Sequence, residues 1–143
     1  MKDSSSSESL DRKSLKECQF PHDMAHLWEV RRFAEEVSDL AGLAPEKAFD
    51  LKVAVSEAAA NAMEHSRESD SLMIRAYQYV DRITVTIEHG GEFRLTTAHD
   101  RRHRGLGLPL MATLCDELTV ARRAEGGICV TLSMRLSSNG SPD

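Results

Sequence analysis

The sequence contains no apolar run that approaches the ~20 residues needed to cross a bilayer, and no apolar segment follows Met1. It also lacks the surplus of Lys and Arg that a broad nucleic-acid surface requires, because 18 basic residues stand against 23 acidic ones and the net charge is −5. These absences argue against membrane insertion and against direct nucleic-acid binding. They favour a cytoplasmic protein.

Cysteine is scarce as well. Cys18, Cys115 and Cys129 are the three cysteines of the chain, and no pair of them has C-x-x-C spacing. An odd number without metal-ligand spacing indicates neither a disulfide framework nor a zinc site. We therefore interpret all three as reduced thiols in the core.

The length of 143 residues, with 41% hydrophobic and 29% charged residues, is typical of one soluble domain. Residues 1–14 are rich in serine and charge and nearly free of apolar side chains, so they cannot offset the entropy of ordering. Residues 137–143 are similar. The sequence therefore predicts a folded domain over residues 15–136 between two disordered tails.

Hydrophobic periodicity predicts the elements of that domain. The predicted order is an edge strand at 15–20, helices at 24–41 and 45–65, strands at 72–80 and 82–88, a polar loop at 91–104, a helix at 106–118, and strands at 117–122 and 128–136. Gly42 suits the end of the first helix, and Pro45 suits the start of the second. This order predicts a two-layer α/β sandwich, with a mixed, mostly antiparallel sheet and helices on one face.

One side of the second predicted helix carries a polar row. Glu57, Asn61 and His65 are spaced four residues apart, so they share one side of a helix whose other side is apolar and rich in alanine. An amide oxygen such as that of Asn61 suits Mg²⁺, and a carboxylate one turn away can accept a proton. The alternative interpretation is a solvated helix face, with His65 stabilised by the helix dipole.

A second feature is the segment Arg104-Gly105-Leu106-Gly107-Leu108, which follows a polar loop and opens a helical pattern. Glycines at such a point let backbone N–H groups approach phosphate oxygens at a helix N-terminus. A tight turn from loop to helix is the alternative, since a single Gly-x-Gly is weak evidence.

Taken together, several segments resemble the histidine-kinase-like ATPase (Bergerat) fold, and within it the anti-sigma-factor serine kinases of bacterial partner-switching systems. The segments are Ser56 to His65, Glu88-His89-Gly90-Gly91-Glu92-Phe93, Gly105-Leu106-Gly107-Leu108, and the pattern from Asp116 to Leu132. The resemblance covers roughly residues 20–136.

The resemblance implies a role for each matching residue. Asn61 would coordinate a Mg²⁺ ion that bridges the ATP phosphates, and Glu57 would be the general base for a partner's serine hydroxyl. Gly105 and Gly107 would contact the phosphates through their backbone.

The resemblance implies further contacts with the nucleotide. Leu106 and Leu108 belong to the same nucleotide-binding segment, and Arg104 would lie in a lid over the γ-phosphate. In the family's Asp-x-Gly-x-Gly segment the Asp accepts a hydrogen bond from adenine, and here Glu88 and Gly90 are placed at the matching positions.

The function that the resemblance implies is an anti-sigma factor. Such a protein sequesters a sigma factor and phosphorylates a serine on an anti-anti-sigma (STAS-domain) antagonist with Mg-ATP, and a homodimer is one assembly that the resemblance implies. Two alternatives stay open: a protein-binding regulator of the same fold without kinase activity, and the catalytic domain of a histidine kinase detached from its receptor.

Overall fold

The computed structural model describes residues 12–65, 71–90, 113–124 and 126–136, with His65 described for its backbone only. These residues form two long helices and five strands. In chain order they are β1 (Lys13–Pro21), α1 (Leu27–Ala41), α2 (Pro45–His65), β2 (Ser71–Gln78), β3 (Arg82–His89), β4 (Glu117–Arg122) and β5 (Ile128–Arg135), with a 3-10 turn (Met24–His26) before α1.

The five strands form one sheet in the order β1-β2-β3-β5-β4. Each pairing between neighbouring strands in the described residues is antiparallel. The described part of the sheet is therefore fully antiparallel and not mixed. Both helices cover one face of the sheet. The predicted α/β sandwich is confirmed.

Both helices follow the sequence pattern. The buried residues of α1 recur every three to four positions, and Gly42 ends the helix in the left-handed conformation with φ of 71°. Helix α2 begins at Pro45 and ends at His65, as predicted. Lys52 on α2 bridges to Glu35 on α1, with 3.1 Å between Nζ and Oε2.

The core lies between the helices and the sheet. Alternate residues of the strands are fully buried against α2, because successive strand side chains point to opposite faces. The small side chains of α2 let that helix approach the sheet closely; the buried alanines are Ala54, Ala58, Ala59, Ala60 and Ala62. Within the described ranges, no helix is long and apolar enough to span a membrane.

Two predicted boundaries need correction. Strand β1 begins at Lys13, so Lys13 and Ser14 belong to the sheet and not to a disordered tail. Backbone pairing with β2 orders them without apolar burial, and the guanidinium of Arg12 lies 4.3 Å from the ring centroid of Tyr77. Near the other end, Leu118 lies in β4 and not in a helix. Most of the predicted helix at 106–118 lies outside the described residues.

The turn between β4 and β5 requires glycine at position 127. Gly127 has φ of +96°, and a Cβ atom there would lie 2.2 Å from the carbonyl oxygen of His89 and 2.8 Å from the Cα atom of Gly90. Gly126 has φ of +102°, but no heavy atom lies within 4 Å of its Cβ position. Substitutions at the two positions therefore distinguish the cost of backbone strain alone from the cost of backbone strain with steric overlap.

We expect Gly127→Ala to lower the free energy of unfolding by more than Gly126→Ala. Both variants incur the left-handed penalty of about 1–2 kcal/mol, and only Gly127→Ala must also displace the end of β3. Urea denaturation of the two variants and the wild type measures the difference. Equal losses would contradict the close approach between position 127 and β3.

The cysteines are free, and their surroundings differ. Cys115 is buried, whereas Cys18 and Cys129 are half-buried, so only one of the three is in the core as predicted. Burial, followed by the nearby Asp116 carboxylate, raises the pKa of Cys115. A raised thiol pKa lowers the fraction of reactive thiolate at neutral pH.

We expect iodoacetamide to alkylate Cys115 more slowly in the folded protein than in urea at the same pH. The folded-state rate should keep rising with pH beyond the point at which the rate in urea levels off, because the folded thiol loses its proton at higher pH. Mass spectrometry of the peptide measures both rates, and equal rates and profiles would contradict the shift.

Candidate functional site

The polar row of α2 is the first part of the candidate site. Glu57 is half-buried, and Asn61, one turn further along the same side, is 3% exposed. In the part of the chain that the structure describes, Oδ1 of Asn61 has no hydrogen-bond partner. The same is true of Oγ of Ser56, which is 8% exposed. The His65 side chain lies outside the described residues.

An orphaned amide oxygen in a buried position is a costly feature. A buried acceptor without a partner costs about 1–3 kcal/mol, so most such atoms in folded proteins have one. A bound ligand or cation would satisfy the oxygen of Asn61. Amide oxygens are among the ligands of Mg²⁺, so the donor fits the metal that the resemblance implies.

The end of β3 is the second part of the candidate site. Ile83, Val85, Ile87 and His89 alternate along the strand and are all buried, so His89 lies on the sheet face that α2 covers. His89 is 1% exposed, although imidazole is polar. Sequence reasoning missed this residue. The period-two pattern of β3 would have placed it on the inner face.

Glu88 lies on the opposite face of the sheet. Its carboxylate Oε1 is 3.0 Å from Nη1 of Arg75, and Arg75 Nε is 3.5 Å from the carboxylate of Glu17 on β1. The hydrogen bond with Glu88 raises the pKa of Arg75. Glu88 and Arg75 also border a cavity of about 430 Å³ on this outer side.

The expected contact between Glu88 and adenine stays a prediction, and the orientation of Glu88 does not favour it. Matching by motif spacing placed the carboxylate at position 88, but the strand register turns that side chain away from α2 and into an ion pair with Arg75. A ligand held against Asn61 would meet His89 on the inner face. Gly90 follows directly, and its Cα atom is close to Gly127.

The glycine segment cannot be placed in this geometry. Arg104, Gly105, Leu106, Gly107 and Leu108 all lie outside the described residues, so their approach to Asn61 stays a prediction. Among the residues that are described, no group of three or more His, Cys, Asp or Glu side chains is arranged to hold a metal ion.

Comparison with known proteins matches the sequence to a known family. The histidine kinase-like ATPase domain matches residues 20–134. The serine-protein kinase RsbW of Bacillus pumilus is 32% identical over 142 residues, covering 86% of each chain. The anti-sigma F factor of Clostridium perfringens is 28% identical over 106 residues, covering 65% of this chain and 76% of the relative.

A solved structure agrees with the fold. The RsbU and RsbW domains of Rv1364c from Mycobacterium tuberculosis match with a TM-score of 0.66 and 20% identity, covering 85% of this chain and 33% of that one. At this identity the likeness supports the fold alone. The family match over residues 20–134 and the relatives' identity carry the assignment. The chain belongs to the histidine-kinase-like ATPase domain family, in the group that includes the RsbW serine-protein kinases and the anti-sigma F factors.

Proposed function

We propose that this chain is a serine-protein kinase and anti-sigma factor of a partner-switching system, acting with Mg-ATP. The observation that carries the proposal is the buried, orphaned amide oxygen of Asn61, one helical turn from the half-buried carboxylate of Glu57. Both residues lie on α2, a 21-residue helix that packs on the sheet and holds them rigidly.

Each residue of the row would have a separate task. Oδ1 of Asn61 would hold the Mg²⁺ ion, which neutralises charge on the phosphates when bound. The Glu57 carboxylate would accept the proton of the attacking serine hydroxyl. The oxygen of that hydroxyl forms its bond to the γ-phosphorus as the bond from this phosphorus to the bridging oxygen of ADP breaks, and ADP leaves with the electron pair. Main-chain N–H groups of Gly105 and Gly107, flanked by Leu106 and Leu108, would orient the phosphates, and Arg104 would stabilise their negative charge.

We further propose that His89, in place of Glu88, lines the inner end of the nucleotide site. His89 is buried on the face that α2 covers, whereas Glu88 is paired with Arg75 on the other face. A neutral imidazole both donates and accepts a hydrogen bond, so it can pair with the amino group or a ring nitrogen of a purine.

The partners follow from the same proposal. The name of one relative, anti-sigma F factor, supports a sigma factor as one partner. We propose an anti-anti-sigma STAS-domain protein as the serine substrate, as the resemblance implies. A sigma factor acts in the cytoplasm, so the proposal also places this chain there. The net charge of −5 gives no support to direct nucleic-acid binding.

The protein-binding regulator without kinase activity is the competing function. The register of β3 favours this regulator, because the Glu88 carboxylate, which was expected to contact the nucleotide, faces away from α2. Incubation of the purified chain with a STAS-domain protein and radiolabelled Mg-ATP separates the two functions. Labelled phosphoserine on the STAS protein supports the kinase. Formation of a sigma complex without any label would contradict it and support the regulator.

A further inference from the structure

A small cleft lies between α1 and α2, near the point where the two helices are joined. It encloses about 270 Å³, which is below the range of about 300–1,000 Å³ that is typical of small-molecule pockets and suits a single side chain. Its wall includes Pro45, Ala48 and Phe49, and Phe49 is 60% exposed. A large exposed aromatic residue beside an apolar wall is a common feature of protein interfaces.

Ser38 gives this cleft a buried polar group. Ser38 lines the cleft and is 2% exposed, and in the part of the chain that the structure describes its Oγ atom has no hydrogen-bond partner. A buried hydroxyl without a partner is destabilising, so most such groups in folded proteins have one. A ligand that donates a hydrogen bond inside the cleft would satisfy the oxygen of Ser38.

The charges around the cleft favour a cation. Residues 35–52, which form this end of the two helices, include five acidic and two basic side chains. Lys52 is paired with Glu35, and its Nζ atom lies 5.8 Å from the ring centroid of Phe49. Asp39 lines the cleft, is exposed, and forms no ion pair within the described ranges. The cleft therefore offers one carboxylate that is available to a ligand.

We propose that this cleft binds an arginine side chain of a partner protein. A guanidinium group carries a permanent positive charge and five N–H donors, so it can donate to Oγ of Ser38 and to the carboxylate of Asp39. Its planar face can also stack on the ring of Phe49. The ammonium of a lysine is a compact, strongly hydrated charge that does not stack in this way, so it fits the cleft less well.

The partner segment should carry further basic residues beside this arginine. Glu46 and Asp50 lie close to Phe49 on α2, one turn before it and directly after it. Their negative charge attracts a basic segment and repels an acidic one. Because this contribution acts between exposed charges, added salt should weaken binding.

Three peptides test whether the cleft recognises guanidinium. The probe is acetyl-Lys-Arg-Lys-amide. Acetyl-Lys-Lys-Lys-amide has the same charge, and acetyl-Lys-citrulline-Lys-amide keeps the shape of arginine without its charge. Titration of the ¹⁵N-labelled full chain, followed by NMR, measures each dissociation constant and locates the contact. We expect the arginine peptide to bind about 5-fold more tightly than either control, with the largest amide shifts at Ser38, Asp39, Ala48 and Phe49.

Matched substitutions test the site itself. Asp39→Asn should weaken binding of the arginine peptide about 5-fold or more, because a charge-assisted hydrogen bond is lost. Asp50→Asn is the control, since it removes the same charge from a residue that does not line the cleft, and it should weaken binding less than about twofold. Ser38→Ala should weaken binding about threefold and leave the urea midpoint close to that of the wild type, because the hydroxyl lacks a partner in the free chain.

The outcomes separate this inference from the proposed kinase. Equal affinities for the three peptides, no binding of the arginine peptide at millimolar concentration, or amide shifts centred outside the cleft would overturn it. Equal effects of Asp39→Asn and Asp50→Asn would overturn it as well. None of these measurements uses nucleotide, so failure here leaves the kinase proposal intact, and failure of phosphate transfer leaves the arginine site intact.

Discussion

Glu57→Gln should reduce the rate of phosphate transfer to a STAS-domain serine by about 10²–10⁴-fold, the range that a positioned general base contributes. The amide keeps the size of the carboxylate but cannot accept the proton of the hydroxyl. Glu57 is half-buried on α2, so the isosteric change should leave the fold undisturbed. Single-turnover transfer from radiolabelled Mg-ATP measures the effect.

Binding separates a lost base from a damaged site. Calorimetric affinity for Mg-ATP should change less than about threefold in Glu57→Gln, because the base acts on the partner's hydroxyl and not on the nucleotide. Glu64→Gln is the matched control, since Glu64 is exposed on the last two turns of the same helix. Unchanged transfer in Glu57→Gln would remove Glu57 from the role of base.

Asn61→Ala should abolish the stabilisation that Mg-ATP gives the folded chain while leaving the nucleotide-free protein about as stable as the wild type. A ligand at 100 times its dissociation constant raises the free energy of unfolding by about 2.7 kcal/mol, and the variant should lose this increment. In the nucleotide-free protein, removal of an unsatisfied buried oxygen offsets the loss of packing.

Urea denaturation with and without Mg-ATP measures both quantities. Ser56→Ala is the control, because it also removes an orphaned buried oxygen, Oγ, but from a position outside the row of Glu57 and Asn61. It should keep the stabilisation by nucleotide. If Mg-ATP raised the free energy of unfolding of Asn61→Ala by the same amount as in the wild type, the amide oxygen would not be needed to hold the nucleotide.

Local sequence signals were sufficient for most of the described elements. Helix α2 runs from Pro45 to His65 because proline suits the first turn of a helix and the apolar face is continuous. Gly42 ends α1 because only glycine adopts the left-handed conformation there without strain. The polar row was also predicted, since the helical period fixes which residues share a side.

Other features depend on pairing between distant parts of the chain. No local signal places β5 between β3 and β4, or β1 at the edge beside β2. Motif spacing led to the prediction for Glu88, whereas the alternation of β3 favours His89. Ile83, Val85 and Ile87 put His89 on the inner face, and Arg75 on β2 pairs with Glu88 on the outer one.

The exposure of Trp28 likewise could not be read from the sequence. Trp28 and Phe33 are both aromatic residues of one amphipathic helix, and either could have been buried. Phe33 lies on the side of α1 that meets α2 and the sheet and is 2% exposed, whereas Trp28 is 54% exposed. Which aromatic faces solvent depends on how α1 is rotated against its neighbours, which is a property of the packed structure.

We propose that Asn61 on α2 holds a Mg-nucleotide inside this domain. Isothermal titration calorimetry of the full chain with ATP, in the presence of Mg²⁺ and then of EDTA, tests that claim most directly. We expect saturable binding that requires the metal. No heat in either condition, or equal affinity with and without Mg²⁺, would contradict it.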